Sequence, residues 1–389
     1  MKIIIFSHPN FLPSQSMPKY TKWLSDGMRE RGHDVTVWKP FPFFYKLPGN
    51  AFTKKWMGYI DQYIFFPILI KLRLLMQTQK CLFVFSDQAL GPWVKYVKNY
   101  PNVVHCHDFL AQQSAFGMIK ENPTSKSGKI YQTFIRDGYR HSNNFISVSR
   151  KTESDLLKTL LIQPQITKVV YNGLTQTFLP APKQEIIAEL TNHTKLDISK
   201  GYILHVGGNQ WYKNRIGVIE IYDQWRKINN ELRLPLIMVG AAPNKRILKS
   251  YEESGYKMEI EFLINKPDDI VKKFYQGANV FLFPSIAEGF GWPIAEAMAC
   301  GTIVITTNEA PMNEVGGEAA IYINKRPTEN HKLETWLVES ALILDQVLNL
   351  DYDQKSETKL KGFQNIKRFS SNHALDQISQ IYQSIESIQ

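Results

Sequence analysis

Short apolar runs of four to six residues recur along the chain, and each leads into a helical pattern rather than a hairpin turn. The first series has runs at 2–6, 34–38, 82–85, 102–106, 145–148 and 168–171, with helical patterns at 18–31, 92–99, 130–141 and 151–161. The second has runs at 202–206, 236–239, 258–263, 280–283, 302–306 and 320–323, with helices at 217–228, 245–253 and 268–275. Parallel strands need a crossover connection, usually a helix, and strands covered on both faces read as nearly continuous apolar runs. The pattern therefore predicts an α/β chain of two Rossmann-like, doubly wound parallel-sheet domains.

A length of 389 residues suits two or three domains, each able to bury its own core. The expected boundaries are a first domain at 1–180, a linker at 181–200, a second domain at 201–370 and a final helix at 371–389 that crosses back to the first domain. The 176–200 stretch is polar and holds Pro180 and Pro182, which reads as a connection. Another loop is expected at 7–17, polar and punctuated by proline. Hydrophobic residues at 43% and charged residues at 21% are ordinary for a globular protein. Three cysteines, Cys81, Cys106 and Cys300, form neither a metal spacing nor an even disulfide set, which favours a reducing, cytoplasmic setting. The most apolar stretch, 63–70, contains Pro67 and is far shorter than the ~20 residues a membrane span needs.

Charge is unevenly placed. Residues 1–180 hold 23 Lys and Arg against 10 Asp and Glu; residues 181–389 hold 23 against 26, and the two balances of +13 and −3 make the net +10. A basic first half invites an anionic partner: a lipid surface, a lipid-diphosphate acceptor or a nucleic acid. Nucleic acid is not expected, because no recognition motif is present. Residues 39–80 interleave ten aromatics with scattered lysines. Such a segment suits peripheral contact with an anionic membrane, or a helix packed on the sheet behind a loose entry loop.

Residues 281–301, FLFPSIAEGFGWPIAEAMACG, read as strand, glycine-broken loop and helix. Pro293 is expected at the helix start, Glu296 in the first turn and Gly301 just past the end. The backbone amides of Gly289, Phe290 and Gly291 would then lie at the positive helix end, where phosphate oxygens are stabilised, with Glu288 beside them. A second phosphate-binding candidate spans 205–215, where Gly207, Gly208 and Asn209 follow a strand, and Lys213 and Arg215 supply charge. A dinucleotide GxGxxG loop is absent there.

The spacing Glu288-x7-Glu296, with the EGFG loop before it and the AMACG helix end after it, resembles the signature of retaining glycosyltransferase family 4, which has the GT-B fold. That resemblance covers 201–323 closely. In the first half it rests on FISVSRKTESD at 145–155 and the Asn172-Gly173 step. It implies two domains facing a central cleft, with Glu288 on hydroxyls of the donor sugar and Glu296 on the ribose of the nucleotide. Lys213 matches the lysine of the family's basic pair. The arginine position is Gly208 here, so Arg215 or backbone amides would have to take its place. On the first domain, Phe85-Ser86-Asp87-Gln88 and His105-Cys106-His107-Asp108 are the two strand ends suited to the cleft, and if the first occupies the family's His position, Ser86 replaces it.

Candidate catalytic residues are thus Glu288, Lys213, His107, Asp108 and Asp87; candidate nucleotide-sugar contacts are Gly207, Gly208, Asn209, Lys213, Arg215, Gly289, Phe290, Gly291 and Glu296. No metal and no cofactor is expected: His105-x-His107 alone is a weak metal signal, and no Asp-x-Asp clamp follows a strand. The implied donor is a UDP-, GDP- or ADP-sugar, and the acceptor a glycan or a lipid-linked hydroxyl. The leaving diphosphate oxygen itself would help deprotonate that hydroxyl. A nucleotide-sugar epimerase and a non-catalytic GT-B scaffold beside an active enzyme are the other readings.

Overall fold

The computed structural model describes residues 1–12, 16–174, 177–229 and 231–388. The expected loop at 7–17 and the start of the 176–200 connection therefore lie partly outside the described residues. Two compact units emerge: Met1–Thr175 together with Ser371–Gln389, and Gln176–Ser370.

The first unit holds β1 (Lys2–Phe6), β2 (Asp34–Trp38), β3 (Leu82–Phe85), β4 (Asn102–Cys106), β5 (Asn144–Ser147) and β6 (Ile166–Val169). They form one parallel sheet in the order β2-β1-β3-β4-β5-β6. Strand side chains alternate between faces, so Ile4, Phe6, Phe83 and Phe85 enter one core with Phe66 and Trp93. Ile3, Ile5, Leu82 and Val84 enter the other with Tyr20, Leu24, Leu375 and Tyr382. Both faces of β1, β3, β4 and β5 are buried, which is why these strands read as apolar runs, whereas the edge strands β2 and β6 are partly exposed.

The second unit holds β7 (Ile203–Gly207), β8 (Leu236–Gly240), β9 (Ile260–Ile264), β10 (Val280–Phe283), β11 (Ile303–Thr307) and β12 (Ile321–Ile323). Their order is β12-β11-β10-β7-β8-β9, again all parallel.

Three segments differ from the sequence expectation. The helix expected at 92–99 is a 3-10 helix, Gln88–Tyr96, which starts early because the Asp87 carboxylate accepts from Ala89 N–H. Pro92 inside it removes a donor that an α-helix would need. The stretch expected as a linker at 181–200 carries the helix Lys183–Leu190, whose Ile186 and Leu190 are buried in the second unit. Within 39–80, an entry loop leads into one helical run: Ala51–Ile60, a π turn at Asp61–Phe65, then Phe66–Leu75.

The last helix, Ser371–Ile388, completes the first unit. Its Leu375, Ile378, Tyr382 and Ile385 fill the core face that Ile3 and Val84 leave open. Arg31 pairs with Asp376 at 2.7 Å. The fully buried His105 joins two helices to the sheet: Nδ1 lies 2.8 Å from the Tyr20 hydroxyl and Nε2 lies 2.7 Å from that of Tyr382. A neutral imidazole has one donor and one acceptor, so one tyrosine donates and the other accepts. Burial, helped by the neighbouring His107, pushes the His105 pKa down to about 3.

A proton that binds His105 in the unfolded chain near its ordinary pKa is thus refused by the folded one. Stability from this residue is full above the unfolded value and declines as pH falls toward the folded one. Going from about pH 7.5 to about pH 5.5 should cost about 1.4 kcal/mol at this residue, measured by urea unfolding. A His105→Gln variant, less stable throughout, should lose that part of the pH dependence.

Candidate functional site

The second sheet grows outward from β7 to β8 and β9, then returns to β10 on the other side of β7. At such a reversal, the loops leaving two adjacent strand ends diverge to opposite faces and leave a crevice beyond the carboxyl ends. Here those loops are 208–214 after β7 and 284–291 after β10. The reversal brings together Lys213 and Glu288, 75 residues apart, with the ammonium 2.8 and 3.0 Å from the two carboxylate oxygens. Ser285 Oγ donates to the same carboxylate at 2.7 Å. Both ionic side chains are mostly buried, at 14% and 8% exposure.

The two loops are fastened to each other. Ile286 N–H donates to the Tyr212 carbonyl at 2.7 Å. Asn214, in the left-handed conformation, caps the helix Arg215–Ile228 through Gly217 N–H and donates to the Pro284 carbonyl at 3.0 Å. The Lys213 ammonium also sits 5.1 Å over the Phe283 ring. On the far side, the ends of β7 and β8 come so close that a Cβ on Gly240 would lie 2.1 Å from the Gly207 carbonyl oxygen. At Gly208, where the family arginine would stand, a Cβ would lie 2.4 Å from Gln210 Oε1.

Arg215 is fixed at the end of β8. It is buried, donates from Nη1 to Asn209 Oδ1 and to the Ala241 carbonyl at 2.9 Å, and lies over the Phe262 ring. Its Nε and Nη2 have no hydrogen-bond partner among the described residues, and burial lowers its pKa to about 10. Its guanidinium thus braces the 208–214 loop against the end of β8 in place of the missing arginine's expected position. Asn209 is held in the same brace, donating to the Ala242 carbonyl at 2.5 Å. His205, expected in the strand and at the start of the 205–215 phosphate-binding candidate, is fully buried with Nδ1 3.0 Å from the Leu282 carbonyl and Nε2 without a hydrogen-bond partner among the described residues. Burial, reinforced by the charges of Arg215 and Lys213 and opposed by the Leu282 carbonyl, brings its pKa down to about 3.

The helix after β10 runs Trp292–Ala299, with Gly291 as N-cap at φ 101° and Pro293 in the first turn. Glu296 falls in the second turn, not the first, because the helix opens at Trp292. There it accepts from the Tyr275 hydroxyl at 3.1 Å. The Phe290 side chain is buried against Trp292 and Phe369, so only its backbone can serve a ligand.

The first sheet has its own reversal, between β1 and β3. Asp87, just past β3, meets His8, just past β1, at 2.8 Å. Burial alone would raise the Asp87 carboxyl, but the His8 hydrogen bond and charge, with His107 and the Ala89 N–H, hold it below the usual value. His107 is buried, with Nε2 2.9 Å from the Ser86 carbonyl, edge-on to the Tyr20 ring. Its pKa is lowered by burial despite the opposing pull of Asp87 and that carbonyl. Ser86 Oγ is spent inside the sheet on the Phe6 carbonyl and Thr21. Asp108 accepts from Leu110 N–H, the first residue of the helix Leu110–Ala115, at 3.0 Å. His8 escaped the sequence reading. Its signal was its place two residues beyond the first strand, which becomes informative only once β1 and β3 are known to be neighbours. Among the described residues no group of three or more His, Cys, Asp or Glu is arranged to hold a metal ion.

Residues 17–176 match the family model described as Glycosyltransferase Family 4, and 188–331 match that of Glycosyl transferases group 1. O-antigen chain mannosyltransferase B of Escherichia coli is 35% identical over 31% of this chain and 32% of its own length. O-antigen chain mannosyltransferase RfbU of Salmonella typhimurium is 25% identical over 52% of this chain and 53% of its own. The aligned part thus spans a third to about half the length of these relatives. Among solved structures, Anabaena HepE in complex with UDP and glucose aligns at TM-score 0.69 and 17% identity over 99% of this chain and 100% of that one. Sucrose-phosphate synthase of Thermosynechococcus elongatus aligns at TM-score 0.74 and 16% identity over the whole of both chains. The fold is GT-B, and the family matches support a GT-B glycosyltransferase of groups 1 and 4.

Removing one partner of a mostly buried ion pair leaves the other charge uncompensated. Lys213→Met should therefore destabilise the second unit by about 1–3 kcal/mol in urea unfolding. Adding Glu288→Gln in the same chain should recover most of that loss.

Proposed function

We propose that the chain is a retaining, metal-independent glycosyltransferase that moves a hexose from a nucleoside-diphosphate sugar to a hydroxyl of a glycan or lipid-linked acceptor. The observation that carries this reading is the Lys213–Glu288 pair at the β7/β10 reversal, just ahead of the helix that Gly291 opens. In that place a lysine can take up charge on a diphosphate, and a carboxylate can meet sugar hydroxyls. The two curated relatives above are O-antigen chain mannosyltransferases, which fits polysaccharide or glycolipid assembly. Cytoplasmic residence fits the three unpaired cysteines.

In this reading the donor carbon parts from its diphosphate oxygen and bonds the acceptor oxygen on the same face. The acceptor proton passes to the departing diphosphate. Lys213 neutralises the charge that grows on the leaving group, and the Gly289–Gly291 amides share it. Glu288, released from Lys213 as the diphosphate arrives, holds donor-sugar hydroxyls and favours positive charge at the ring. Glu296 receives the ribose hydroxyls. On the first unit, His107, Asp108 and the His8–Asp87 pair serve the acceptor side.

A thermal-shift series with UDP-, GDP- and ADP-sugars should single out one donor. With it, the purified protein should release nucleoside diphosphate slowly, and Glu288→Ala should abolish that release. No release with any donor would favour a non-catalytic scaffold, a reading that the glycine at 208 keeps in play. Epimerisation of the donor's sugar without transfer would favour the epimerase. Glu296→Ala should weaken the free nucleoside diphosphate by about 1–3 kcal/mol in titration calorimetry. Unchanged affinity would remove the ribose role from Glu296.

A further inference from the structure

The helical run at 51–75 is held on one side and bare on the other. Phe66 and Ile70 enter the core of the first unit, and the Trp93 indole donates to the Gln62 carbonyl at 2.9 Å. On the outer side Phe52 and Trp56 are a turn apart, and Ile64, Ile68 and Leu72 repeat at intervals of four, every one of them more than half exposed. Leu75, at 83% exposure, ends the run. Phe41 and Phe43 of the entry loop are exposed as well. So many large apolar side chains left exposed along one helical run and its entry loop mark a binding face rather than ordinary scatter.

Charge identifies its occupant. Between residues 35 and 86 the chain has seven basic side chains, Lys39, Lys46, Lys54, Lys55, Lys71, Arg73 and Lys80, and one acid, Asp61. That acid is wholly buried: its two oxygens accept from Phe44 N–H and Tyr45 N–H, each at 2.9 Å, which also pins the entry loop to the π turn. No carboxylate of this segment therefore offsets the cations at its surface. Lys46 lies 4.8 Å over the Phe41 ring and Lys54 5.1 Å over that of Tyr45, so basic groups flank the exposed aromatics. A second copy of this face would set lysines against lysines with no surface carboxylate of the segment between them, which repels. A nucleic acid would supply phosphates but nothing to cover Ile64, Ile68 and Leu72. An anionic bilayer supplies both, with phosphates for the lysines and an acyl boundary for the apolar side chains.

We propose that the 41–47 loop and the outer side of the 51–75 helical run form a docking surface for an anionic lipid bilayer. No helix among the described residues is long and apolar enough to cross a membrane, so contact is peripheral. The Phe and Trp side chains enter the interface, and Lys46, Lys55 and Lys71 stay at headgroup level. This holds whatever sugar is transferred, and its test needs no donor or acceptor.

The test is co-sedimentation of the full chain with vesicles of phosphatidylcholine alone or mixed with phosphatidylglycerol. Binding should require phosphatidylglycerol and weaken as salt rises. Lys55→Glu with Lys71→Glu, and separately Phe52→Ser with Trp56→Ser, should each lower the partition coefficient at least about tenfold, with the melting temperature unchanged. Wild-type indifference to phosphatidylglycerol, or full binding by both double variants, would overturn the proposal. So would an absence of vesicle binding combined with a dimer that Phe52→Ser/Trp56→Ser dissolves, which would make this face a contact between copies.

Discussion

A parallel sheet extends only by crossing over one of its faces, and in each of these two sheets the direction of extension reverses once. That reversal decides where chemistry can gather. Between β7 and β10 it places Lys213 against Glu288, and between β1 and β3 it places His8 against Asp87. In both, the pair sits where loops diverge, so neither loop covers the other's strand end. The helix cap at Asn214, the Tyr212–Ile286 backbone bond and the close approach of Gly207 to Gly240 all serve to hold those ends in register.

Much of the fold was legible because burial on both faces leaves an unmistakable imprint. Ile3 to Phe6 and Val280 to Phe283 are apolar at every position, and the structure buries every one of them. The helix Lys245–Glu253 matches its expected ends, since Asn244 caps it through Arg246 and Ile247 N–H. Less legible were elements whose cues conflict. Pro180 and Pro182 announce a connection, yet Ile186 and Leu190 behind them have enough apolar surface to bind a short helix to the second unit. In the site, residue types were readable but directions were not. Arg215 is two positions from Lys213, and its orientation is decided by Phe262, Asn209 and Ala241, which the chain brings from elsewhere. His8 had no nearby partner in sequence at all; Asp87 lies 79 residues away.

The electrostatics of the second unit's site follow from which groups are kept neutral or neutralised. His205 is beneath the glycine loop but uncharged, and Arg215 is tied to Asn209 and the Ala241 carbonyl. Beside them lies one cation bound to one anion, Lys213 on Glu288. In the proposed reaction, a diphosphate arriving there would compete with Glu288 for Lys213, and the carboxylate so freed would become an acceptor for hydroxyl groups. Ser285, already donating to Glu288, keeps that carboxylate placed while its ionic partner changes.

The first unit is built from both ends of the sequence, whereas the second is one unbroken segment. On a ribosome the second unit can therefore finish its core before the first, although the first begins emerging earlier. Until the stretch from Ser371 onward appears, the sheet face carrying Ile3, Ile5 and Val84 has no lid, and Tyr20 and His105 lack the Tyr382 hydroxyl that completes their chain of hydrogen bonds. A nascent chain of this design waits, half-covered, for its final turns.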